Sequence, residues 1–592
     1  MLLNFSEEEL YKINHSAEHV FAQAVKELFG DKVVLAVAHI TERGFSNDAR
    51  WSIELTEDML SQVEKKMSEI IKADLEITSQ EVTFEQAMEM FKDNPFKQEW
   101  IKEHTEAGKT LTVYWTGDQY YDLCKGPHVS RTSEIGAFKL LSISGAYWRG
   151  DENNEMLTRV HGTAWPTKEA LSKYLEMLEE AKKRDHKKIM KEQDLIVFSE
   201  LVGSGLPLWT PRGAIIRREL ERFIVDEEIK RGYQHVYTPD IANLELYRKS
   251  GHYPYYKDSM YAPITIDDEE YMLRPMTCPH HFQLYLSRPR SYKELPMRIA
   301  ELAKLYRYEK SGELTGLIRV RSFCLADAHI VTMREKAEQE IENALDLIEY
   351  ICNLFGLKPN EDYSYRLSLG DRQDDKKYYK DDESWDYAEN VLRNVLKKRV
   401  VKSVEAPNEA AFYGPKIDIQ MRNVNGKEDT AFTVQYDFVM PKRFDLKFIN
   451  QDGEEEEAVV IHRSSVGAIE RTIAFLIERF NGNFPLWLHP EQVAIIPVSD
   501  KVLDYALEIK NKILDKIPNA RIELMDESEK LQKKIRNAQL KKIPYMLILG
   551  EKERLNQTVN VRLRTEEVLG EMQIDTFVDR LAEKIKNKSL EL

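Results

Sequence analysis

Cysteine is scarce in this sequence, which has only four among 592 residues, at positions 124, 278, 324 and 352. Because none is closely paired with another, the sequence predicts a reducing compartment and no disulfide framework. No run of about 18 apolar residues occurs, so no membrane-spanning helix is expected. The N-terminal stretch MLLNFSEEELYKIN has no basic segment followed by an apolar core, so no secretory signal is visible. These absences together predict a cytoplasmic protein without a membrane partner.

Basic residues are also fewer than acidic ones: the chain has 85 Lys and Arg residues and 101 Asp and Glu residues, which gives a net charge of −16. Over the whole chain this charge disfavours nucleic acid as a partner, although binding requires only a local basic face. Two stretches supply one, KKRDHKKIMK at 182–191 and KLQKKIRNAQLKK at 530–542. Taken alone, each stretch is better explained as a solvated helix face.

The spacing of apolar residues divides the chain into segments. A hydrophobic content of 42% with 31% charged residues is typical of a globular protein, and 592 residues suffice for three or four domains. Residues 168–194 have helical apolar spacing with no Gly or Pro, which predicts a helix linking two domains. The Gly- and Pro-rich stretch 203–213 opens a new unit, and a helix over 215–232 follows, ended by Gly232.

Strand and helix patterns continue through the second half. Residues 295–331 predict the two strands of a long antiparallel hairpin around the polar loop 309–316. Residues 333–355 and 466–480 predict amphipathic helices, and the second is apolar enough to be buried. From Val493 onward, short strands alternate with helices, which predicts a separate domain with a parallel sheet.

Two kinds of side chain suggest chemistry in this half. Cys278 lies in MTCPHH, where a lone cysteine beside two histidines fits either ordinary packing or a metal site. Arg307 ends the first hairpin strand in YRYE, and Arg471 lies in AIERTIAF within the apolar helix. A guanidinium on an apolar helix requires an anionic partner, which is either a structural carboxylate or an anionic ligand.

A second constellation lies near the N-terminus. HSAEH places His15 and His19 four residues apart, on one face of a helix, and CKGPH places Cys124 and His128 in a Gly-Pro loop. By residue type alone, three histidines and one cysteine suggest a tetrahedral zinc site.

Two overlapping sets of segments together resemble a known family. GYQHVYTPDI, the hairpin with RYE, and GAIER occur in the order of the three motifs of class II aminoacyl-tRNA synthetases. YDLCKGPHV, GAYWRGD, RPMTCPHH, RVRSFCLADAHI, AFYGPKID, VIHRSSVGAIER and IPYMLILG also follow in order. Over nearly its whole length the sequence therefore resembles the threonyl-tRNA synthetases, in the bacterial form that lacks the small N-terminal ubiquitin-like domain.

The resemblance implies a multidomain α+β fold and a defined set of partners. The core would be the antiparallel sheet of class II synthetases, with an α+β editing domain before it and an α/β anticodon-binding domain after it. The expected partners are tRNA(Thr), ATP with Mg²⁺, L-threonine, and a second copy of the chain, since motif 1 (here 215–240) usually builds a homodimer. The implied boundaries are 1–166 for editing, 167–195 for the linker helix, 196–490 for catalysis and 491–592 for the anticodon.

The resemblance also implies roles for individual residues. Arg307 and Arg471 would hold the ATP phosphates together with Arg319, and Glu309 would contact the adenine side. One zinc ion per chain would be held by Cys278, His329 and His462, which leaves His280 and His281 to local packing or polar contacts. In the anticodon domain, Glu553 and Arg562 would contact bases, and the basic stretch 530–542 would then contact phosphate. The implied substrate-binding residues are Met276, Asp327, Tyr413, Lys416 and Gln435, although Tyr413 and Lys416 also fit a purely structural role.

Zinc has a chemical reason to be in such an enzyme. Threonine and valine have nearly the same shape, and an apolar pocket separates such pairs by only about 100-fold. A metal that binds both the amino and hydroxyl groups rejects valine but admits serine, so a second, hydrolytic site is expected. The resemblance assigns that site to His15, His19, Cys124 and His128, with Asp122 and Tyr121 beside them and no metal. The zinc interpretation of the same four residues remains the alternative.

Two positions depart from the family pattern, and three other functions compete. Leu325 and Ala468 replace a Gln and a Ser of familiar bacterial members, near the amino acid or the tRNA terminus. An RNA- or partner-binding protein without catalysis would be free to lose Arg307, Arg471 or a zinc ligand, and all are present. A free-standing hydrolase of mischarged tRNA would not need residues 200–592. A different class II synthetase would not need the proposed zinc ligands.

Overall fold

The computed structural model describes residues 5–151, 153–424 and 426–592. The chain forms two compact units, Met1–Glu179 and Glu180–Leu592, and the boundary between them falls inside a helix. Within the described ranges, no helix combines the length and the apolar character needed to cross a membrane.

The first unit is built around one long helix on an antiparallel sheet. Ser6 caps this helix by accepting a hydrogen bond from the Glu9 amide at 3.1 Å. Three acidic residues in the first turn also stabilise the helix, because their negative charges lie at the positive end of its dipole. The sheet has the order β1-β2-β7-β6, and a smaller sheet has the order β3-β4-β5. The elements are α1 (Glu7–Phe29), β1 (Val33–Thr41), β2 (Gly44–Trp51), α2 (Glu57–Lys72), β3 (Ile77–Val82), α3 (Phe84–Met90), α4 (Pro95–Glu106), β4 (Leu111–Thr116), β5 (Tyr120–Leu123), β6 (Ala137–Tyr147), β7 (Met156–Trp165) and α5 (Lys168–Lys183), which crosses the boundary.

The second unit opens with an eight-stranded sheet and its flanking helices. The elements are α6 (His186–Glu192), β8 (Ile196–Val197), β9 (Leu208–Trp209), α7 (Pro211–Lys230), β10 (Gln234–His235), β11 (Ile241–Asn243), α8 (Leu244–Ser250), α9 (His252–Tyr255), β12 (Ile264–Ile266), β13 (Glu269–Leu273), α10 (Cys278–Tyr285), β14 (Met297–Tyr306), β15 (Ser322–Thr332), α11 (Ala337–Leu354), β16 (Tyr363–Ser368), α12 (Asp382–Lys397), β17 (Ser403–Ala406), β18 (Lys416–Arg422), β19 (Glu428–Asp437), α13 (Met440–Phe444), β20 (Lys447–Ile449), β21 (Glu455–Glu457), β22 (Val459–Ala468) and α14 (Ile469–Phe480).

The order of the large sheet is β10-β14-β15-β22-β19-β18-β16-β17, antiparallel except for the outermost pair at each edge. The predicted hairpin is confirmed: β14 and β15 pair from Met297 opposite Val331 to Tyr306 opposite Ser322. The predicted helix at 333–355 is also confirmed, as α11, and with α12 and α14 it buries an apolar face in the main core. β22 is a central strand of this sheet, and all its residues except Ala468 are buried, including His462 and Arg463.

The C-terminal part of the second unit has a mixed sheet of order β24-β23-β25-β26-β27. The predicted parallel sheet is right for β23, β24 and β25 and wrong for β26 and β27, which join antiparallel through short connections. The elements are β23 (Val493–Pro497), α15 (Leu503–Lys516), β24 (Ile522–Leu524), α16 (Leu531–Leu540), β25 (Tyr545–Leu549), α17 (Glu551–Asn556), β26 (Thr558–Leu563), β27 (Val568–Gln573) and α18 (Ile574–Lys586).

Three predicted helices have different limits in the structure. The linker helix at 167–195 is two helices, because Asp185 leaves the helical conformation and caps α6 through the Lys187 amide at 2.8 Å. The helix predicted from 215 starts at Pro211, where Thr210 caps it and proline fits the first turn. The helix predicted from 466 starts at Ile469, because 466–468 complete β22.

Candidate active site

A cleft of about 640 Å³ lies on the eight-stranded sheet. Alternate residues of β15 point into it, Phe323, Leu325, Asp327 and His329, as the two-residue period of a strand requires. All twelve residues predicted for catalysis, substrate binding or metal binding in this unit line this one cleft: Met276, Cys278, Arg307, Glu309, Arg319, Asp327, His329, Tyr413, Lys416, Gln435, His462 and Arg471.

Arg307 and Arg471 lie in the cleft and form no ion pair with a described acidic residue. Arg307 donates to the Pro275 carbonyl at 3.3 Å, and Arg471 donates to the carbonyls of Ile318 and Thr430 at 3.2 and 3.3 Å. Among the described residues, no carboxylate is within ion-pair distance of either guanidinium. A structural ion pair, one of the two alternatives for these guanidinium groups, is therefore absent from the described part of the chain, and Arg471 lies on the cleft-facing side of α14.

The environment of the cleft disfavours the positive charges of Arg307 and Arg471. Burial lowers the pKa of Arg307, whose guanidinium also lies over the Phe323 ring at 5.2 Å from its centre. Burial lowers the pKa of Arg471 as well, and the charges of Arg307 and Arg319 lower it further. Cations that repel one another in a partly desolvated cleft favour a bound polyanion.

Glu309 and Arg319 lie in the segment 307–321 that joins β14 to β15. The Arg319 guanidinium is 3.9 Å from Glu309 and 3.6 Å from Glu313, and Arg319 is exposed. Long, exposed ion pairs of this kind contribute little to stability, so the guanidinium is available to another anion.

The three predicted metal ligands are adjacent. Ligand atoms of Cys278, His329 and His462 all lie within 4.8 Å of one another, and all three residues are buried. His329 and His462 are directly opposite on β15 and β22, while Cys278 begins α10. Burial lowers the pKa of His329, which keeps it in the neutral ligand form, and raises that of Cys278, whose thiolate would need a cation beside it. One sulfur and two nitrogens fit zinc with positions open for a substrate.

Hydrogen bonds fix which nitrogen of His462 is free. Nε2 of His462 is 2.7 Å from Asp437 Oδ2, and Asp437 Oδ1 accepts from the amides of Val439 and Met440 at 2.9 Å. With Nε2–H donating to the carboxyl group, Nδ1 keeps its lone pair. A carboxyl group behind a ligating imidazole is the usual outer partner of a zinc site.

A longer relay orients His329. Nδ1 of His329 is 2.8 Å from Nδ1 of His281, and Nε2 of His281 is 3.3 Å from Glu301 Oε2. Burial alone would raise the pKa of Glu301, but hydrogen bonds from His281 and Thr238 hold it at about 2. The Glu301 carboxylate therefore accepts a hydrogen bond from Nε2–H of His281. Nδ1 of His281 in turn accepts from Nδ1–H of His329, which leaves Nε2 of His329 free. His281 thus makes the polar contacts expected of it.

The remaining substrate-binding candidates surround the metal ligands. The Tyr413 hydroxyl donates to Gln435 Oε1 at 2.5 Å, and its ring stacks on His462 with 5.0 Å between centres. Asp327 is buried on the same face of β15 as His329, and burial raises its pKa. Lys416 forms an ion pair with the buried Asp418 at 2.9 Å, which gives this lysine a structural role.

The two departures from the family pattern face each other. Leu325 is paired with Ala468, whereas Asp327 is paired with Ser464, so β22 bulges between these two pairs. Gly467 permits the bulge: its φ is +65°, and a Cβ there would lie 2.4 Å from the Ala431 carbonyl oxygen. The result is a small apolar surface in the cleft beside Asp327.

The predicted N-terminal residues also come together. Ligand atoms of His15, His19, Cys124 and His128 lie within 4.8 Å of one another. Cys124 Sγ is 3.2 Å from Nε2 of His15 and 3.3 Å from Nε2 of His128. The expected helical face is confirmed, since His15 and His19 are one turn apart in α1.

The protonation of this cluster follows from its outer hydrogen bonds. Nδ1 of His15 donates to the Pro127 carbonyl at 3.0 Å, and Nδ1 of His128 lies 3.2 Å from Ser16 Oγ. Each Nε2 lone pair therefore faces Cys124. Burial lowers the pKa of His15 to about 4 and raises that of Cys124 to about 12, so neutral imidazoles surround a protonated thiol. Such neutral imidazoles can accept hydrogen bonds from a water molecule.

Asp122 and Tyr121 differ in their relation to this cluster. Asp122 is buried in an ion pair with Lys97 at 2.7 Å. Tyr121 was expected to flank the cluster, but its side chain lies on the opposite face of β5, where its hydroxyl donates to the Met90 carbonyl at 3.0 Å. The alternation of strand side chains brings Tyr120 to the cluster instead, with its ring centre 6.4 Å from that of His19.

The two anticodon candidates lie in the C-terminal part of the second unit. Glu553 caps α17 by accepting from the Gly550 amide at 2.9 Å, and Arg562 lies in β26 opposite Met546. In the basic stretch 530–542, Lys534 is buried and donates to the Met525 carbonyl at 2.8 Å. This lysine is therefore structural rather than a phosphate contact.

Several residues of these sites were not predicted from the sequence. Asp437 and Glu301 lie behind the predicted metal ligands, Asp437 in contact with His462 and Glu301 with His281, and no local motif marks them. His252 also lines the cleft, buried, with Nδ1 2.7 Å from Ser250 Oγ. His186 is buried on the apolar face of α6 with Ile189 and Met190, and this i, i+3, i+4 spacing was a signal that could have found it.

Comparison with known families agrees with this organisation. Residues 261–480 match the tRNA synthetase class II core domain (G, H, P, S and T). Residues 492–584 match an anticodon binding domain, and residues 111–161 match the threonyl and alanyl tRNA synthetase second additional domain.

Whole-chain relatives are closely similar. The chain is 47% identical over 586 residues to threonine–tRNA ligases of Streptococcus gordonii and Streptococcus pneumoniae, covering 98% of this chain and 90% of each relative. A crystal structure of the RNA binding domain of threonyl-tRNA synthetase from Cryptosporidium parvum is 32% identical, with a TM-score of 0.63, and the match covers 67% of this chain and 98% of that one. The chain therefore belongs to the threonine–tRNA ligases, a family of class II aminoacyl-tRNA synthetases.

Proposed function

We propose that this ligase activates L-threonine with ATP as threonyl-adenylate, transfers it to tRNA(Thr), and removes serine attached in error. The observation that supports the synthetic part most strongly is the single cleft lined by all twelve predicted residues. Within it, two arginines that form no ion pair with a carboxylate among the described residues line the same cleft as a Cys/His/His cluster. The cleft thus offers an anion site beside a metal site.

Adenylate formation joins the threonine carboxylate to the α-phosphate and expels pyrophosphate. Negative charge on the phosphates is offset by fixed cations, so positioned guanidinium groups matter more than a general base. Arg307, Arg319 and Arg471 supply them, with Mg²⁺ accompanying the nucleotide. Glu309, in the same segment as Arg319, is assigned to the adenine side.

Cys278, His329 and His462 are proposed to hold one zinc ion per chain. When bound, zinc supplies a Lewis-acid contact for the amino and hydroxyl groups of threonine, and valine lacks the hydroxyl. Asp437 and His281 hold the two imidazoles in the tautomers that leave one nitrogen free on each. Asp327 and the Tyr413–Gln435 pair lie beside them and are proposed, with Met276, to shape the threonine pocket.

Asp437→Asn tests the outer hydrogen bond of this site. The amide cannot accept from His462 as a carboxylate does, so we expect zinc affinity to fall by about 10–100-fold. Zinc content after dialysis against a graded chelator measures this. Glu340→Gln is the matched control, because it alters a buried carboxylate of the same unit whose partner is Arg298. Equal zinc retention in both variants would contradict the assignment.

The N-terminal cluster is proposed to hydrolyse seryl-tRNA(Thr) without a metal. Burial lowers the pKa of both His15 and His128, so the two imidazoles are neutral, and their Nε2 lone pairs are directed at one point, which is suited to orienting a water molecule by accepting its hydrogen bonds. Serine differs from threonine by one methyl group, worth only about 1–3 kcal/mol in a binding site, so synthesis alone cannot exclude it. Asp122 is assigned to the edge of this pocket.

His15→Ala/His19→Ala is expected to leave threonylation within about threefold of the native rate and to let seryl-tRNA(Thr) accumulate. The matched control is His39→Ala/His104→Ala, which removes two histidines of the same unit that lie outside the cluster. Deacylation of preformed seryl-tRNA(Thr) measures the effect, because native enzyme and control should clear it. Rapid clearance by the double mutant, or two zinc ions per native chain, would overturn the metal-free editing proposal.

Domain roles and assembly complete the proposal. The family matches at 111–161, 261–480 and 492–584 each fall inside one of the proposed domains 1–166, 196–490 and 491–592. Glu553 and Arg562 are assigned to anticodon bases. A cytoplasmic location is proposed with this function. A homodimer is proposed because large apolar side chains in and near motif 1 are exposed: Leu201 is 100%, Tyr237 96% and Ile229 55% accessible.

The experiment that tests the proposed activity is aminoacylation of total tRNA with radiolabelled amino acids, one at a time. We expect stable charging by threonine alone and no product without ATP. Stable charging by a different amino acid would contradict the proposal.

A further inference from the structure

The segment 307–321 between β14 and β15 contains three of the proposed ATP-binding residues, Arg307, Glu309 and Arg319. It has little regular structure, apart from a short turn of 3₁₀ helix at Ser311–Glu313. Such a segment needs contacts from other elements if its side chains are to be held in place. One of these contacts comes from α6, outside the class II motifs.

His186 of α6 is 2% accessible and has a partner at each ring nitrogen. Nδ1 is 2.7 Å from Glu478 Oε1 in α14, and Nε2 is 3.3 Å from the Leu317 amide. Because the amide can only donate, Nε2 is the acceptor and Nδ1–H donates to Glu478. The imidazole thus joins α14 to the segment 307–321 through one ring.

The glycine next to Leu317 allows this approach. Gly316 has a φ of +47°, and a Cβ at this position would lie 2.2 Å from Nε2 of His186. Any larger residue would push the segment off the imidazole.

Arg471 closes the connection from the other side. It lies seven residues before Glu478 in α14, about two turns away and on the same face. Its Nε donates to the carbonyl of Ile318, the residue after Leu317, at 3.2 Å. The segment is therefore held to α14 twice, directly by Arg471 and through His186 by Glu478.

A metal site at Asp185, His186 and Glu478 is the competing explanation, since their ligand atoms also lie within 4.8 Å of one another. Both nitrogens of His186 have protein partners, however, and Asp185 Oδ1 caps α6 by accepting from the Lys187 amide at 2.8 Å. These atoms are already used in hydrogen bonds, so the cluster has no free ligand set.

We infer that His186 is a positioning residue for ATP: it holds the segment 307–321 against α14 so that Arg319 and Arg471 are placed around the phosphates. The inference rests on the proposed role of the cleft in binding ATP. It assigns a part in nucleotide binding to a residue that contacts neither nucleotide nor amino acid.

Two conservative variants separate this role from simple packing. His186→Asn places an amide near the position of Nδ1, so it retains a donor to Glu478 but loses the acceptor for Leu317. His186→Gln reaches the position of Nε2 and retains an acceptor for Leu317. In ATP–pyrophosphate exchange, we expect His186→Asn to raise KM for ATP about tenfold, the effect of leaving one buried amide unpaired. His186→Gln should remain within about threefold of native.

The control measurements distinguish local from general damage. KM for threonine and zinc content should stay within about twofold of native in both variants, because the metal cluster is not part of this connection. Glu478→Gln keeps an acceptor oxygen for Nδ1–H and should behave as native, as should Lys188→Asn on the exposed side of α6. Gly316→Ala disturbs the same contact from the segment side and should reproduce the rise in KM for ATP.

Two results would overturn the inference while the proteins remain folded by thermal melting. The first is equal behaviour of the Asn and Gln variants, and the second is a rise in KM for threonine as large as that for ATP. Arg307→Ala serves as the reference. If it lowers exchange and His186→Asn does not, only the positioning role fails. If neither lowers exchange, the proposed ATP site itself fails and the inference with it.

Discussion

Cys278→Ser is expected to release zinc from the catalytic unit and to reduce threonine activation below detection, while the protein stays folded. Cys278 is one of only three side chains proposed as ligands, and a serine hydroxyl does not replace a thiolate in binding zinc at neutral pH. The buried thiol also has a raised pKa, so its ionised form depends on a cation nearby. Zinc content by atomic absorption and threonine-dependent ATP–pyrophosphate exchange measure the two effects.

Cys352→Ser is the matched control for this experiment. Cys352 is as well buried as Cys278 but lies in α11, inside the main apolar core. Its replacement should lower thermal stability and leave zinc content at one per chain. Undiminished zinc in Cys278→Ser would contradict the proposed ligand set.

Arg307→Ala and Arg471→Ala are each expected to lower the exchange rate by about 30–1,000-fold, equivalent to about 2–4 kcal/mol of transition-state stabilisation. Each guanidinium makes hydrogen bonds only to backbone carbonyls among the described residues, so it retains donors for the phosphates. Because neither forms an ion pair there, its removal leaves no buried carboxylate unpaired, and the fold should persist.

Arg334→Ala provides the comparison for the arginine variants. Arg334 lies over the Tyr387 ring at 3.8 Å and does not line the cleft, so its loss should leave exchange nearly unchanged. The assignment of Arg307 and Arg471 would be wrong if both alanine variants exchanged pyrophosphate at rates close to that of Arg334→Ala.

The elements that the sequence predicted well are those with strong local patterns. The β14–β15 hairpin and α11 follow from alternating and helical apolar spacing. Most of the twelve cleft residues lie in the short motifs that carry the family resemblance, and the structure places all twelve along one cleft. Strand periodicity then brings Asp327 and His329 to the same face without any long-range information.

What the sequence did not predict depends on contacts between distant segments. Asp437 and Glu301 support the proposed metal ligands from strands distant in sequence, and nothing near either residue indicates that role. The break between α5 and α6 was missed because Arg184 and Asp185 interrupt no apolar pattern. Tyr121 was placed on the wrong side of β5 because a loop motif alone does not give the strand register.

The central claim is that a metal site in the cleft recognises the hydroxyl group of the amino acid. ATP–pyrophosphate exchange of the zinc-loaded enzyme with threonine, serine and valine tests it most directly, because exchange reports activation before any editing of tRNA. We expect exchange with threonine and with serine, and exchange with valine lower than with threonine by more than about 1,000-fold, as for a site built around a substrate hydroxyl. Exchange with valine within about 100-fold of threonine, the discrimination of an ordinary apolar pocket, would contradict it.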